Sequence, residues 1–266
     1  MKRYSFIGAG NMAYAIIGGM SADKDITVYD KLVSQYEKFN GRVKTAPSAP
    51  AAVEKADYIV LAVKPQNFKE ITAEIRESGV ALDGKTFVSI AAGVSCESIC
   101  RGLGREVAVI RTMPNTPALI GKGVTAVSRN RLVSDEAYNE IFEMFSSIGE
   151  AFELPEDKMN SVIAVTSSAP AYIYYIIDCI CREAASQGLS SPEMLKMICA
   201  MVKGSAEMLE RSDKTPAELV KMVTSPKGTT ECAMQVFYNG GLDKMISEAM
   251  KACTKRAEEL SAEASF

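Results

Sequence analysis

The sequence predicts an α/β chain in two parts: a doubly wound sheet over residues 1–154, then an all-α half over 155–266. Three observations lead there. Short apolar runs alternate with helical spacings throughout the first half, the pattern of a mostly parallel sheet. A Gly-x-Gly-x-x-Ala turn, Gly8 to Ala13, directly follows the first of those runs. Past Pro155 strand signals stop, and helix-period segments are separated by Gly188, Pro192, Pro216, Pro226 and Gly240-Gly241.

The elements follow in order. Tyr4 to Ile7 reads as a buried strand, Gly8-Ala9-Gly10 as a turn, and Met12 to Met20 as a helix. Ile26 to Tyr29 is a second strand, closed by Asp30. Lys31 to Asn40 has helical spacing at Leu32, Tyr36 and Phe39. Arg42 to Thr45 reads as a short strand and Pro50 to Lys55 as a short helix. Strands at Ala56–Val63, Thr86–Ile90 and Arg105–Arg111 alternate with helices near Asn67–Glu77 and Cys96–Gly102. Strands Gly123–Ser128 and Glu150–Leu154 flank a helix over Ser134–Ser147. Six helices are expected beyond: Asp157–Val165, Ala171–Gln187, Pro192–Arg211, Pro216–Val223, Thr229–Tyr238 and Gly241 to about Ala262.

Composition narrows the function classes. Thirty Lys and Arg nearly balance 33 Asp and Glu, so no basic field points to nucleic acid or an anionic membrane. No run approaches a membrane span in length, and Asn11 with the nearby glycines breaks any signal-like stretch after Lys2-Arg3. The seven cysteines form no Cys-x-x-Cys pair and there is no histidine. Free thiols in a reducing cytoplasm, and no metal site, are the expectation.

The Gly turn carries the first chemistry. Gly8 permits the tight turn, Gly10 lets a pyrophosphate approach the backbone, and Ala13 lets helix and strand pack closely. The helix N-terminus then offers unpaired N–H groups and positive dipole character. Asp30 lies 22 positions after Gly8, close to the roughly 20 expected of a ribose-binding carboxylate. Beyond the carboxyl ends of the other strands stand Ala62-Val63-Lys64-Pro65, Ala91-Ala92-Gly93 and Met113-Pro114-Asn115-Thr116-Pro117. Small Ala91 and Ala92 suit a flat cofactor. Asn115, in a Pro-bracketed loop, suits the nicotinamide end or a structural turn. Lys64 suits a phosphate or is a plain exposed lysine.

The helical half holds a loop of different character, Met222 to Glu231. Ser225, Pro226 and Gly228 precede a helix, so N–H groups converge as a seat for a small carboxylate, or simply as a helix cap. The absence of histidine favours a reaction with little need for a neutral-pH acid–base. Reduction of a protonated imine is one, since alignment with the hydride donor does most of the work. Helices at Tyr172–Ala185 and Met194–Leu209 are apolar around much of their circumference. They call for burial on several sides, by a partner chain or within a compact monomer.

Over nearly its whole length the chain resembles the pyrroline-5-carboxylate reductase family. The matching stretches are Ile7-Gly8-Ala9-Gly10-Asn11-Met12-Ala13, Ala62-Val63-Lys64-Pro65, Ala91-Ala92-Gly93-Val94, Arg111 to Ala118, Pro170-Ala171-Tyr172 and Val223 to Thr230. The resemblance implies a Rossmann-like domain and a helical dimerisation domain. It implies reduction of 1-pyrroline-5-carboxylate to L-proline by NADH or NADPH, in a cytoplasmic homodimer or dimer-based oligomer, with the proline-binding loop offered across the dimer interface. By position, Ile7, Gly8, Ala9, Gly10, Asn11, Met12, Asp30, Ala62, Val63, Lys64, Pro65, Ala91, Ala92 and Asn115 would serve the cofactor. Thr230 would hydrogen-bond the ring nitrogen and guide any proton. Gly228 and Thr229 N–H groups would hold the carboxylate, with Val223 against the ring and Asp213 as a nearby acid. The chain departs from the family's usual pattern at Lys227-Gly228, Thr166 to Ala169 and Thr215-Pro216-Ala217. Asp30 favours NADH, an effect that Lys31 would partly offset. Two other readings share the plan: a β-hydroxyacid-dehydrogenase-like enzyme, for which Lys158 and Lys203 are available but neither sits in that family's usual context, and a non-catalytic dinucleotide sensor.

Overall fold

A computed structural model describes residues 2–264. Its centre is an eight-stranded sheet of order β3-β2-β1-β4-β5-β6-β7-β8. The strands are β1 (Arg3–Ile7), β2 (Asp25–Tyr29), β3 (Lys44–Thr45), β4 (Tyr58–Leu61), β5 (Thr86–Ser89), β6 (Ala108–Met113), β7 (Gly123–Arg129) and β8 (Gly149–Glu153). Every neighbouring pair is parallel except β6 and β7. The reason is local: residues 114–122 contain only a 3-10 turn, Thr116–Ile120, too short for the crossover a parallel pair needs.

Both faces are covered. Helices α1 (Asn11–Gly19) and α5 (Asp135–Ser146) bring Ile16, Ile17, Ile141 and Phe145 onto Phe6, Val28, Val60 and Ile110. On the other face α2 (Ala49–Glu54), α3 (Phe68–Glu77) and α4 (Cys96–Leu103) pack Val53, Ile71, Ile75 and Ile99 on Ile7, Ile59 and Phe87. Burying each such side chain is worth about 1.5–3 kcal/mol before entropy is charged. The strands are buried on both sides, which is why they read as continuous apolar runs rather than alternating ones.

Two expected helices take other forms. Lys31–Asn40 is a 3-10 stretch, Val33–Phe39, ended by Asn40 in left-handed backbone. Asp157–Val165 is divided into a 3-10 turn, Glu156–Lys158, and a π-helical turn, Ile163–Ser167, closed by the Ser168 N–H on the Ile163 carbonyl at 2.8 Å. The π-turn runs on into α6 (Ala169–Ser186). Residues 163–186 thereby form one helical stretch of 24 residues containing an 18-residue window of mean hydropathy 1.3, long and apolar enough by length and composition to span a bilayer. This corrects the expectation that no run approaches that length. The sequence hides it because helical register continues through Ser167, Ser168 and Pro170.

The remaining helices are α7 (Pro192–Arg211), α8 (Pro216–Val223), α9 (Thr229–Asn239) and α10 (Leu242–Glu263). By contacts between backbone segments the chain divides into two compact units. One comprises residues 1–170 with 251–266, and the other is 171–250. The C-terminal end of α10 belongs with the sheet unit because Ala264 joins the α2–α4 core. Within residues 171–250, Ile198 is the single buried side chain among those described.

Candidate active site

The sheet order reverses beside β1, between the branch leading to β2 and β3 and the branch leading to β4, β5 and β6. Ligands in such sheets bind in the crevice beyond the carboxyl ends at that point. There Ile7 is fully buried and Gly8 turns the chain at φ +105°. A Cβ on Gly8 would stand 2.6 Å from the Ala62 carbonyl oxygen, so only glycine brings the end of β1 this close to the end of β4. The Gly8 N–H donates to the Tyr29 carbonyl at 2.7 Å. Gly10 is the α1 N-cap and supplies no side-chain cap, with open space where a Cβ would project. The first-turn N–H groups at Asn11 and Met12 therefore face the positive end of the dipole without intrahelical acceptors. A cavity of about 620 Å³ opens here, lined by Ile7, Gly8, Gly10, Asp30, Ala62, Val63 and Lys64 among others. The residues present fit a dinucleotide: pyrophosphate at the turn, adenosine in the cavity.

Asp30 is committed more tightly than its position after β2 suggests. Its Oδ2 accepts the Ala9 N–H at 2.7 Å and its Oδ1 accepts the Leu32 N–H at 2.9 Å. The Tyr36 hydroxyl accepts the Asp30 N–H and donates to the Asp30 carbonyl. Asp30 thus pins the Gly turn, and a ribose would have to share its remaining lone pairs. Lys31 is paired with Glu70 at 2.6 Å on the surface. Lys38, which the sequence did not flag, donates to the Ala9 carbonyl at 2.9 Å.

Further along the sheet, Ala62 to Pro65 leave β4 and enter a 3-10 turn, Pro65–Asn67. Ala91 is buried after β5, where its N–H meets the Ser89 hydroxyl. Ala91, Ala92, Pro65 and Asn115 do not line the 620 Å³ cavity. Asn115 is 7% exposed and its amide is used within the fold: Nδ2 donates to the Thr166 carbonyl at 3.0 Å and Oδ1 accepts the Val124 N–H at 2.8 Å. Of the two readings open for Asn115, the structural one is visible directly.

In the helical unit, α8 ends at Val223, which is 60% exposed, and α9 begins at Thr229. Between them the Gly228 N–H donates to the Ser225 carbonyl at 3.0 Å. Pro226 and Lys227 are the middle residues of this turn, and Lys227 has φ +59°. A positive φ there is the type II requirement that glycine or asparagine normally meets. Gly228 is favoured for another reason, since a Cβ would sit 2.9 Å from the Ser225 carbonyl oxygen, a backbone atom that cannot rotate away. The Gly228 N–H is thus used within its own turn, and the Thr229 and Thr230 N–H groups stand in the first turn of α9, where no intrahelical acceptor is available. Glu231 was not foreseen, and its Oε2 accepts the Lys227 N–H at 2.6 Å. Val223, Gly228, Thr229 and Thr230 thus share one helix–turn–helix corner. Asp213 is exposed in the α7–α8 connection, ahead of the Thr215–Glu218 capping box.

Sequence reading also passed over Arg111 as a functional candidate. Its side chain is 4% exposed, with Nη2 donating to Asn160 Oδ1 at 2.6 Å and Nη1 lying 3.8 Å from Glu156 Oε1. Burial pulls the guanidinium pKa down and Glu156 opposes that shift. The available signal was a charged residue following the apolar run Val107–Ile110 and preceding Thr112-Met113 in one strand.

Comparison with known proteins agrees with this geometry. A pyrroline-5-carboxylate reductase dimerisation model matches residues 156–260, and an NADP oxidoreductase, coenzyme F420-dependent, model matches residues 3–93. The chain is 35% identical to the pyrroline-5-carboxylate reductase of Escherichia coli, covering 98% of both chains. It is 34% identical to that of Pseudomonas aeruginosa, covering 97% of this chain and 96% of the relative. The solved Coxiella burnetii pyrroline-5-carboxylate reductase superposes with a TM-score of 0.83 at 31% identity over 98% of each chain. This chain, with its glycine turn in the sheet unit and the Val223–Thr230 corner in the helical unit, is thus a member of the pyrroline-5-carboxylate reductase family.

Proposed function

We propose that this chain reduces 1-pyrroline-5-carboxylate to L-proline with NADH or NADPH. The observation that carries the reading is the Val223–Thr230 corner: an exposed apolar residue, two threonine hydroxyls and free N–H donors at one helix start. A small ring bearing one carboxylate and one basic nitrogen matches that set. The Thr229 and Thr230 N–H groups hold the carboxylate, Val223 packs on the ring and the Thr230 hydroxyl meets the ring nitrogen. The reduced nicotinamide supplies the hydride to the imine carbon. The protein supplies orientation, which is most of what an already electrophilic protonated imine requires. Ala91 and Ala92 offer the backbone against which the flat ring lies. Asp213 adds negative charge on the same helical unit.

NADH is the preferred donor in this reading. Asp30 places a carboxylate at the ribose end of the cavity, and Lys31 is already neutralised by Glu70. The enzyme is cytoplasmic and acts as a dimer or dimer-based oligomer. Support for association lies in α6 and α7, where Ile173, Ile176, Ile180, Met197 and Met201 are all exposed. The hydroxyacid-dehydrogenase reading has less behind it: Lys158 stands on a surface 3-10 turn paired with Asp157 at 3.1 Å.

The test is oxidation of NADH and NADPH by the purified protein with 1-pyrroline-5-carboxylate, beside a panel of 2-oxo acids. Turnover with the imine alone is expected. Thr230→Ala should lower kcat about 10- to 100-fold and leave dinucleotide Kd within about twofold. Dinucleotide binding without turnover would instead support a sensor, and turnover confined to a 2-oxo acid would support the hydroxyacid reading.

A further inference from the structure

Arg111 is a buried cation that the proposed chemistry does not use, and its surroundings suggest a purpose. It lies near the end of β6, in register with Ser89 of β5 and Ser128 of β7, two residues before the Met113-Pro114-Asn115 loop. Its guanidinium reaches the segment between β8 and α6, bonding Asn160 at 2.6 Å with Glu156 at 3.8 Å. The same Glu156 oxygen accepts the Cys96 N–H at 2.7 Å. Cys96 is the first residue of α4, separated from the Ala91-Ala92-Gly93 turn by Val94 and the N-cap Ser95. Ser95 caps α4 at the Ser98 N–H, and one carboxylate 60 residues away in sequence accepts a further first-turn N–H of that helix while facing the β6 cation. Four residues beyond Arg111, Asn115 holds the same incoming segment a second time, at the Thr166 carbonyl within the π-turn. Met159, Ile163 and Ala164 are buried between these two ties.

We propose that Arg111 is a positioning residue for the hydride end of the dinucleotide. Acting through Glu156 and Asn160, it fixes the Ala91–Gly93 turn and the Met113–Asn115 loop relative to each other. The proposal rests on the reading of this chain as a nicotinamide-dependent reductase.

The physical case is directional. An apolar side chain at position 111 could fill the space, but it could not set the α4 start and the 156–160 segment at defined distances. Guanidinium does so because its donors form a rigid fork, whereas an ammonium is a single point. Neither partner touches the Gly8–Ala13 turn or the Asp30 cavity, so the adenosine end should not register the loss. Removing Arg111 also leaves Glu156 on α4 without its counter-charge, yet about a third exposed, so solvent can take over its charge.

The experiment compares wild type with Arg111→Met, Arg111→Lys and Asn160→Ala at fixed protein concentration. Two binding readouts precede any kinetics: ADP-ribose affinity, and the fluorescence enhancement and anisotropy of bound NADH. In Arg111→Met the nicotinamide signal should lose at least half its enhancement while ADP-ribose Kd stays within twofold. With 1-pyrroline-5-carboxylate, kcat should fall at least tenfold with dinucleotide KM nearly unchanged. The primary deuterium isotope effect from C4-deuterated NADH should rise as hydride transfer limits turnover. Arg111→Lys should recover little. Asn160→Ala, which removes only the acceptor at 2.6 Å, should move the same readouts less and carries the test if Arg111→Met does not fold. Parallel losses in ADP-ribose affinity and nicotinamide signal would overturn the proposal, as would unchanged nicotinamide fluorescence and kcat in folded variants. A wild type that binds NADH but does not reduce the imine would overturn the proposed substrate alone, since the fluorescence readout still judges Arg111.

Discussion

Asp30 Oδ2 accepts the Ala9 N–H at 2.7 Å, so the acid closing the second strand holds the Gly8–Gly10 turn at the end of the first. With Leu32 on the other oxygen and Tyr36 on its backbone, Asp30 has a structural duty beside any ribose contact. Replacing it should therefore do two things at once. Asp30→Ala is expected to weaken both dinucleotides, and to weaken NADPH less because a like charge is gone. A shift of about fivefold in the NADPH:NADH ratio of kcat/KM, near 1 kcal/mol, is the scale expected of one exposed charge. An unchanged ratio would remove Asp30 from cofactor choice.

Lys227 occupies left-handed backbone at φ +59°, where a side chain costs about 1–2 kcal/mol. Glu231 compensates in part by accepting the Lys227 N–H. Lys227→Gly should therefore raise Tm by about 2–4 °C at fixed protomer concentration, while Glu231→Ala should lower it. The substrate side of the same residue is separable by kinetics. If the Lys227 ammonium assists the carboxylate, Lys227→Met will raise KM for 1-pyrroline-5-carboxylate and not for 1-pyrroline, which lacks the carboxylate. Equal effects on both imines would assign Lys227 to loop shape only.

Glu140 predicts an acid limb of stability far from the cradle. The Tyr4 hydroxyl and then the Lys24 ammonium, at 2.9 Å, hold its pKa below the ordinary carboxylate value. A depressed folded-state pKa stabilises the native state above the unfolded value of about 4.3. That contribution is lost as pH falls through the lower folded value. Glu140→Gln should lower stability near neutrality by about 1–2 kcal/mol. The difference from wild type should shrink below about pH 4. Urea midpoints at pH 7 and pH 3.5 measure this, and a constant difference would contradict it.

The apolar surface of α6 and α7 predicts association. Ile176 and Met201 are 47% and 51% exposed within one chain. Burying an aspartate at either position without a partner would be costly in an interface and nearly neutral on a free surface. Ile176→Asp and Met201→Asp should therefore shift sedimentation toward a smaller species or unfold the helical unit. Wild-type behaviour in both would place the interface elsewhere.

Much of this molecule was legible in its residues because the relevant signals are local. Continuous apolar runs announce strands buried on both faces, Gly8 and Gly10 announce a turn with its geometric needs, and the order of later motifs identifies the family. Boundaries in α7 and α8 match the expected residues because Pro192, Pro216 and the Thr215–Glu218 box act on neighbouring backbone alone. The 3-10 form of Val33–Phe39 was hidden, since helical spacing does not distinguish two helices of similar period. The π-turn at Ile163–Ser167 was hidden likewise.

What the sequence by itself determined was the fold class, the strand–glycine turn–helix at Gly8 to Ala13 and the family. Only the tertiary structure decided how particular polar atoms are spent. Asp30 meets Ala9 across 21 positions, Asn115 meets Thr166 across 51, and Glu156 meets Cys96 across 60. No local period encodes such pairings, because hydrogen bonds between distant segments depend on where packing brings the backbone. The Gly228 N–H, reserved by Ser225 within its own turn, is the small-scale case: the family resemblance implies a carboxylate partner for it, and the turn through Lys227 gives it the Ser225 carbonyl as acceptor.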